Sequence, residues 1–178
     1  MEKELNREII MDGKIMLVTK EEVELENGAH AFREVVYHNG GACILAIEDG
    51  CILLVKQFRY PNRLYTLEIP AGKLEKGEDP KDAVIRELEE ETNRRAKDVR
   101  LISKFLPSPG YTSEWLHLYE ALDFKEVNDA LSGDDDEFID VVKMDLEDAY
   151  QAIFDGRIVD AKTVIAIQYA YTQKLLNK

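Results

Sequence analysis

The sequence predicts a mixed α/β domain in which strands are interspersed with three helices. Short runs rich in Val, Ile and Leu, separated by turn dipeptides, are typical of strands joined in hairpins. Three longer stretches contain helix-forming residues, and two of them begin at capping residues. A chain of 178 residues fits one domain with a sizeable hydrophobic core.

The first part of the chain is predicted to be built from strands. Asn27-Gly28 and Asp49-Gly50 are dipeptides that favour tight hairpin turns, and Pro70 ends the last apolar run. The predicted strands are residues 14–25, 31–37, 42–47, 51–57 and 64–69.

The first helix is predicted over residues 80–92, where Asp79 is a suitable N-cap and Pro80 suits the first helical position. A loop at 107–114 separates two of the strands that follow. The remaining strands are predicted at 99–106, 115–122 and 138–144, and the closing helices at 146–155, ended by Gly156, and at 161–176, capped by Asp160.

The charge of the chain limits its partners. With 23 Lys and Arg against 36 Asp and Glu, the net charge is −13. Nucleic acids and anionic membranes bind basic surfaces, so neither is an expected partner. An acidic protein can still handle phosphate when a divalent cation stands between its carboxylates and the phosphate groups.

The sequence indicates a soluble protein of a reducing compartment, and we expect a cytoplasmic location. The two cysteines, Cys43 and Cys51, lie in apolar runs and do not form a disulfide framework. The start of the chain lacks the apolar segment of a signal peptide. No apolar run reaches the roughly 18 residues that cross a bilayer.

Three glutamates on the first predicted helix are candidates for metal binding. Residues three and four apart share a helix face, so Glu87, Glu90 and Glu91 should converge. Like charges at this spacing repel, and a bound cation would reverse that cost; oxygen ligands suit Mg²⁺ or Mn²⁺. A solvated helix face is the alternative, but the sharp turn before the helix could bring a backbone carbonyl to face it.

The spacing around this helix resembles the Nudix box of the Nudix hydrolases. Gly72 is followed after five residues by Glu78 and after seven more by Arg86-Glu-Leu-Glu-Glu-Glu91. Asn93 and Arg94 stand where the family has a glycine and an apolar residue; Asn is the next most tolerant residue of positive φ, so we expect the turn to be kept.

The resemblance implies a fold in which a mixed β-sheet is sandwiched between helices, α/β/α, preceded by an N-terminal β-hairpin region. It implies water attack on a pyrophosphate linked to a nucleoside, with Mg²⁺ as cofactor and Mn²⁺ as a substitute. It implies a supporting role for Arg86 with Glu78. The metal ligands implied are the carbonyl of Ala71 and the carboxylates of Glu87, Glu90 and Glu91.

Segments outside the box resemble the ADP-ribose pyrophosphatases and extend the similarity over nearly the whole chain. They are Arg33-Glu-Val-Val-Tyr-His38, Gln57-Phe-Arg-Tyr-Pro61, Leu67-Glu-Ile-Pro-Ala-Gly72, Pro109-Gly-Tyr-Thr-Ser-Glu114 and Asp160-Ala-Lys-Thr163. The resemblance implies that Arg59 contacts the diphosphate and that Glu114 binds substrate hydroxyls. It also implies that Arg33 reaches the substrate, within one subunit or across a dimer interface.

In this subfamily an acidic loop supplies the catalytic base or a further metal ligand. Glu137 is our choice for both roles, and Asp135 is the alternative because the register of the loop is open. Residues 1–38 resemble the segment through which the subfamily forms homodimers, and residues 39–178 are the expected Nudix domain.

The expected reaction is therefore Mg²⁺-dependent hydrolysis of ADP-ribose to AMP and ribose 5-phosphate. Two alternatives stay open: hydrolysis of another nucleoside diphosphate sugar, such as GDP-mannose or ADP-glucose, and a non-catalytic sensor that binds ADP-ribose.

Overall fold

A computed structural model describes residues 1–132 and 138–177. The chain divides into two compact units. The smaller unit contains Met1–Gly40 and Phe105–Leu116, and the larger unit contains Gly41–Lys104 and His117–Lys178.

The smaller unit is a three-stranded antiparallel sheet formed by β1 (Lys3–Asp12), β2 (Leu17–Glu24) and β3 (His30–Tyr37), in that order. The predicted hairpin of β2 and β3 is confirmed. β1 was not predicted, because its residues lack a clear apolar alternation. It is held by pairing along β2 and by an ion pair of 3.0 Å between Arg7 Nε and Glu21 Oε1. All ten residues of β1 are exposed.

The described residues of the larger unit form two sheets. In the first, the strand order is β8-β4-β10-β9; in the second, it is β11-β6-β5, with β7 paired to β6. The strands are β4 (Gly41–Leu45), β5 (Ile47–Glu48), β6 (Cys51–Arg59), β7 (Leu64–Glu68), β8 (Ala71–Lys73), β9 (Arg94–Phe105), β10 (Leu116–Glu126) and β11 (Asp140–Asp145).

Three helices complete the larger unit within the residues that the structure describes: α1 (Pro80–Thr92), α2 (Leu146–Phe154) and α3 (Ala161–Leu176). The predicted N-caps are confirmed. The Asp79 side chain accepts a hydrogen bond from Lys81 N, and the Asp160 side chain accepts one from Thr163 N. These bonds satisfy backbone donors that a helix start leaves unpaired.

The hydrophobic core of the larger unit packs α1 against strands. Its fully buried members include Ile44 on β4, Leu53 on β6, and Val84 and Leu88 on α1. This packing directs one face of α1 inward and fixes the helix against β4 and β8. The mixed α/β class is confirmed.

Several strand boundaries differ from the prediction, three of them near the candidate site or the segment before β11. Residues 71–73 form β8, because they pair with β4 where a turn was expected. β9 begins at Arg94 instead of residue 99, and β11 begins at Asp140 instead of residue 138, where Phe138 is 86% exposed.

The turn after α1 is kept, as predicted. Asn93 has a φ of 56° and caps the helix in the left-handed conformation. Arg94, which replaces an apolar residue of the family pattern, is buried and places its Nη2 3.3 Å from Glu48 Oε2. No helix in the part of the chain that the structure describes is long and apolar enough to span a membrane.

Candidate active site

Three glutamates of α1 form the candidate metal site, and two of them, Glu87 and Glu91, lie against β8. Glu87 and Glu91 are buried, and Glu90 is partly buried. Glu87 lies so close to Gly72 that a Cβ on Gly72 would stand 1.8 Å from Glu87 Oε1. A larger residue here would force the Glu87 side chain to move, which is consistent with the Gly that begins the box pattern.

Glu91 joins α1 to the start of β8. Its Oε2 accepts a hydrogen bond of 3.0 Å from the backbone N–H of Ala71. The predicted proximity of the Pro70-Ala-Gly72 segment to the helix is therefore present, and the contact shown is through the amide group of Ala71.

Arg86 is the centre of an acidic cluster. Its Nη1 lies 2.8 Å from Glu87 Oε1 and donates a 2.7 Å hydrogen bond to Glu90 Oε2, while its Nη2 lies 3.3 Å from Glu78 Oε1. The predicted pairing of Glu78 with Arg86 is confirmed. Partial burial alone would lower the pKa of Arg86, but the neighbouring carboxylates, first Glu87 and then Glu90, raise it.

The donor chemistry of this cluster fits a hard divalent cation, since carboxylate oxygens are the ligands that Mg²⁺ prefers. Within residues 1–132 and 138–177, no three acidic, His or Cys side chains form a ready metal-binding group. Like carboxylates repel when no cation lies between them, and Arg86 holds two of them by hydrogen bonds and ion pairs. We name the residues Glu78, Arg86, Glu87, Glu90 and Glu91 the acidic cluster.

A second charged group, here named the Arg59 cluster, consists of Arg59, Thr66, Glu68, Asp160 and Lys162. Arg59 at the end of β6 donates two hydrogen bonds of 2.7 Å, from Nε and Nη2, to the two oxygens of Glu68 on β7. Lys162 on α3 forms an ion pair with Glu68 and lies 3.0 Å from Asp160 Oδ1. The predicted diphosphate ligand Arg59 thus has a protein carboxylate as its partner.

The electrostatics of the Arg59 cluster favour charged side chains in spite of burial. Burial alone would raise the pKa of Glu68, but the hydrogen bond from Arg59 and the charge of Lys162 lower it to about 2. Burial would lower the pKa of Lys162, but the charges of Asp160 and Glu68 raise it. The hydrogen bond to Glu68 raises the pKa of Arg59.

Sequence reasoning did not single out Glu68 and Lys162, although both lie in segments used for the resemblance. A signal for Glu68 was available, because it is a charged residue between the apolar Leu67 and Ile69 on a predicted strand. A charge at such a position needs a partner. The partner on α3 could not be identified from sequence, since it is distant along the chain.

Two predicted substrate residues belong to the smaller unit. Arg33 is exposed on β3, and its Nε donates a 3.0 Å hydrogen bond to Glu2 Oε2. Glu114 is partly buried, and its Oε1 lies 3.5 Å from His38 Nδ1. Both side chains thus have partners within the smaller unit. Glu137 and Asp135, the two candidates for the base, lie outside the described residues.

The fold and the box helix together define a NUDIX domain. The model of this family matches residues 36–166, and the chain belongs to the family.

Two relatives match it along nearly their whole length. It is 43% identical over 177 residues to the ADP-ribose pyrophosphatase of Bacillus subtilis (strain 168). It is 42% identical over 177 residues to the methanol dehydrogenase activator of Bacillus methanolicus. In both cases the alignment covers 99% of this chain and 96% of the relative.

A solved structure supports the fold. The crystal structure described as an ADP compounds hydrolase superposes with a TM-score of 0.86, covering 97% of this chain and 93% of that chain at 24% identity. The α/β class and its Nudix arrangement, predicted from the sequence, are confirmed by this likeness and the family match.

Proposed function

We propose that the protein is a Nudix pyrophosphohydrolase that converts ADP-ribose and water to AMP and ribose 5-phosphate. The observation that carries the proposal is the acidic cluster, in which Glu87, Glu90 and Glu91 lie on one face of α1 and Arg86 pairs with Glu87 and Glu90. The full-length similarity to a protein named ADP-ribose pyrophosphatase supports the choice of substrate.

Glu87, Glu90 and Glu91, with the carbonyl of Ala71, are the proposed ligands of Mg²⁺, for which Mn²⁺ can substitute. When bound, the cation supplies charge for the phosphate oxygens and lowers the pKa of a coordinated water. Arg86 supports Glu87 and Glu90 through its bonds to both, so its role is to orient ligands. The cluster has more carboxylates than cations, which suits it to a divalent ion.

The diphosphate is bound, in this proposal, by Arg59, whose guanidinium group can pair with phosphate oxygens in a bidentate manner. Its side chain is 41% exposed, so an anion can reach it. The assignments of Arg33 and Glu114 as substrate ligands depend on the resemblance alone.

A carboxylate must accept the proton of the attacking water, and we propose Glu137 for this task and as a further metal ligand, with Asp135 as the alternative. The test compares Glu137→Gln with Asp135→Asn. We expect the first change to reduce turnover by roughly a hundredfold or more, in the range of general-base catalysis, and the second to leave most of it. Loss of turnover in Asp135→Asn alone would reassign the base to Asp135.

The proposed activity is tested by measuring the release of AMP from ADP-ribose with Mg²⁺, beside turnover of GDP-mannose and ADP-glucose under the same conditions. ADP-ribose should have the highest kcat/KM, and excess EDTA should remove the activity. Faster turnover of either other sugar nucleotide would change the substrate and keep the enzyme class. Full turnover in EDTA would contradict metal dependence.

A second candidate is a regulatory protein that binds ADP-ribose without cleaving it. The similarity to a protein named methanol dehydrogenase activator favours it. Binding of ADP-ribose with Mg²⁺ but no AMP release, measured by calorimetry and chromatography on the same sample, would decide for this candidate.

We further propose a homodimer formed through residues 1–38. β1 presents Ile9 and Ile10 to solvent, with exposures of 59% and 57%, and apolar residues on an exposed strand are candidates for an interface. Light scattering at micromolar concentration should give twice the mass of the chain, and a monomeric mass would remove this proposal.

The proposed location is cytoplasmic, and no nucleic-acid or membrane partner is proposed. The first statement is supported by the free cysteines Cys43 and Cys51, which are compatible with a reducing compartment. The second is supported by the net charge of −13.

A further inference from the structure

The buried carboxylate of Glu68 accepts hydrogen bonds from three side chains. Glu68 is 2% exposed, and its Oε1 accepts from Arg59 Nε at 2.7 Å and from Thr66 Oγ1 at 2.6 Å. Its Oε2 accepts from Arg59 Nη2 at 2.7 Å and from Lys162 Nζ. Each oxygen therefore has one bond to Arg59 and one bond to another residue.

The two cations that share Glu68 differ in accessibility. The side chain of Arg59 is 41% exposed, whereas that of Lys162 is 10% exposed. If Arg59 turned to an anion in solvent, Thr66 would still donate to one oxygen of Glu68 and Lys162 to the other. The carboxylate would keep a positive partner, and the large cost of an unpaired buried charge would be avoided.

The position of Lys162 is not explained by helix stability. It is the second residue of α3, at the positive end of the helix dipole, where a cation is disfavoured. Its ammonium group is also removed from water, which adds a desolvation cost. Asp160 and Glu68 compensate these costs, so the protein builds a specific site for this charge.

We propose that Lys162 is a positioning residue for diphosphate binding. It keeps the charge of Glu68 paired, so that the guanidinium group of Arg59 can leave Glu68 and bind the diphosphate of the substrate. This inference rests on the diphosphate role proposed above for Arg59. Without Lys162, Arg59 would be the one cation in this cluster that pairs with Glu68. The Glu68 carboxylate would then compete with the substrate for the guanidinium group of Arg59.

The test uses inorganic pyrophosphate with Mg²⁺ as the probe, and it measures the dissociation constant by isothermal titration calorimetry on the full-length protein. Lys162→Met removes the charge and keeps the length of the side chain. We expect its dissociation constant to rise roughly tenfold, within the coupling range of contacting residues. The matched control is Lys174→Met on the same helix, whose exposed ammonium lies 2.8 Å from Glu147 Oε1; it should leave the constant unchanged.

A double-mutant cycle separates positioning from a general structural effect. In an Arg59→Met background, Lys162→Met should cause no further loss of affinity, because the effect acts through Arg59. Equal losses with and without Arg59, unchanged affinity in Lys162→Met, or no binding of pyrophosphate by the wild-type protein would each overturn the inference. If Lys162→Met does not fold, Lys162→Gln keeps a donor to Glu68 without charge and should show the same coupling.

This experiment is independent of the test for AMP release. Coupling between Lys162 and Arg59 without AMP release would leave the inference standing and refute the ADP-ribose hydrolase. AMP release without coupling would leave the enzyme standing and refute the role of Lys162.

Discussion

The acidic cluster and the Arg59 cluster are both networks of partly or fully buried charges, but their balance differs. In the first, Arg86 is surrounded by the carboxylates of Glu78, Glu87 and Glu90. In the second, Arg59 and Lys162 are matched by Glu68 and Asp160. The first therefore has negative charge available for a cation, while the second can release one arginine to an anion and keep its carboxylate paired.

The comparison also explains how an acidic chain could bind an anionic substrate. The net charge of −13 disfavours direct attraction of a polyanion. A substrate with two phosphates can still bind if a cation occupies the acidic cluster and Arg59 is available beside it. Glu91 connects the two clusters electrostatically, since its charge contributes to the raised pKa of Arg59.

The largest expected effect is at the acidic cluster, because negative charge is its proposed function. Glu87→Gln keeps the size of the side chain and a hydrogen-bond acceptor for Arg86 but removes the charge. We expect kcat/KM with Mg²⁺ to fall more than roughly a hundredfold, beyond the range for residues that support a metal ligand. The control is Asp82→Asn in the first turn of α1, which should retain activity. Near-normal turnover in Glu87→Gln would contradict the metal site.

At the Arg59 cluster, we expect Glu68→Gln to reduce stability in a pH-dependent way. The pKa of Glu68 falls from 4.5 to about 2 on folding, which corresponds to about 3 kcal/mol of stability. Because the pKa is lower in the folded state, this contribution is complete above about pH 4.5 and is lost as the pH falls towards 2.

Urea unfolding of Glu68→Gln and the wild-type protein at pH 7, 4 and 3 measures this contribution. The difference in free energy of unfolding should be largest at pH 7 and should shrink at lower pH. A difference that is the same at all three values would show that the charge of Glu68 is not responsible. The expected loss in the free energy of unfolding is about 3 kcal/mol at most, because the paired charges of the Arg59 cluster stabilise the fold.

A smaller effect is expected where β8 supports the acidic cluster. In Gly72→Ala the new Cβ would lie 1.8 Å from Glu87 Oε1, so the end of the Glu87 side chain must move. The Mg²⁺ concentration for half-maximal activity should rise roughly tenfold, as for residues that orient metal ligands. Gly110→Ala is the control, since a Cβ there meets nothing within 4 Å. An unchanged Mg²⁺ requirement would mean that Glu87 is not a ligand.

The two clusters also differ in how far the sequence reveals them. The acidic cluster was predicted because Glu87, Glu90 and Glu91 are local on one helix, where spacing determines which residues share a face. The Arg59 cluster joins β6, β7 and α3, and the pairing of Lys162 with Glu68 spans 94 residues. Arg59 was predicted through a resemblance, while its partners required the tertiary structure.

The same reasoning applies to the fold. Helices with caps and apolar stripes were predicted nearly to the residue, because these signals are local. β1 and β8 were missed because each forms by pairing with another strand. β1 pairs with β2, and β8 pairs with β4. Strand formation of this kind follows from a neighbour and not from propensity.

The smallest effect on activity is expected at Arg94, a buried arginine that lies outside both clusters. Its substitution tests whether the loss of a buried ion pair elsewhere in the protein also reduces activity. Arg94 Nη2 lies 3.3 Å from Glu48, which keeps a second cationic partner in Lys143. Arg94→Leu restores an apolar residue without leaving Glu48 unpaired. We expect the free energy of unfolding to fall by about 1–2 kcal/mol, because Glu48 keeps Lys143 as a partner but the buried carbonyl of Thr92 loses the 2.9 Å hydrogen bond from Arg94 Nη1. The value of kcat/KM should remain at the wild-type level. A large loss of activity in a folded Arg94→Leu protein would show that charge balance near Asn93 also affects the site. A comparison of the two clusters alone would then not account for activity.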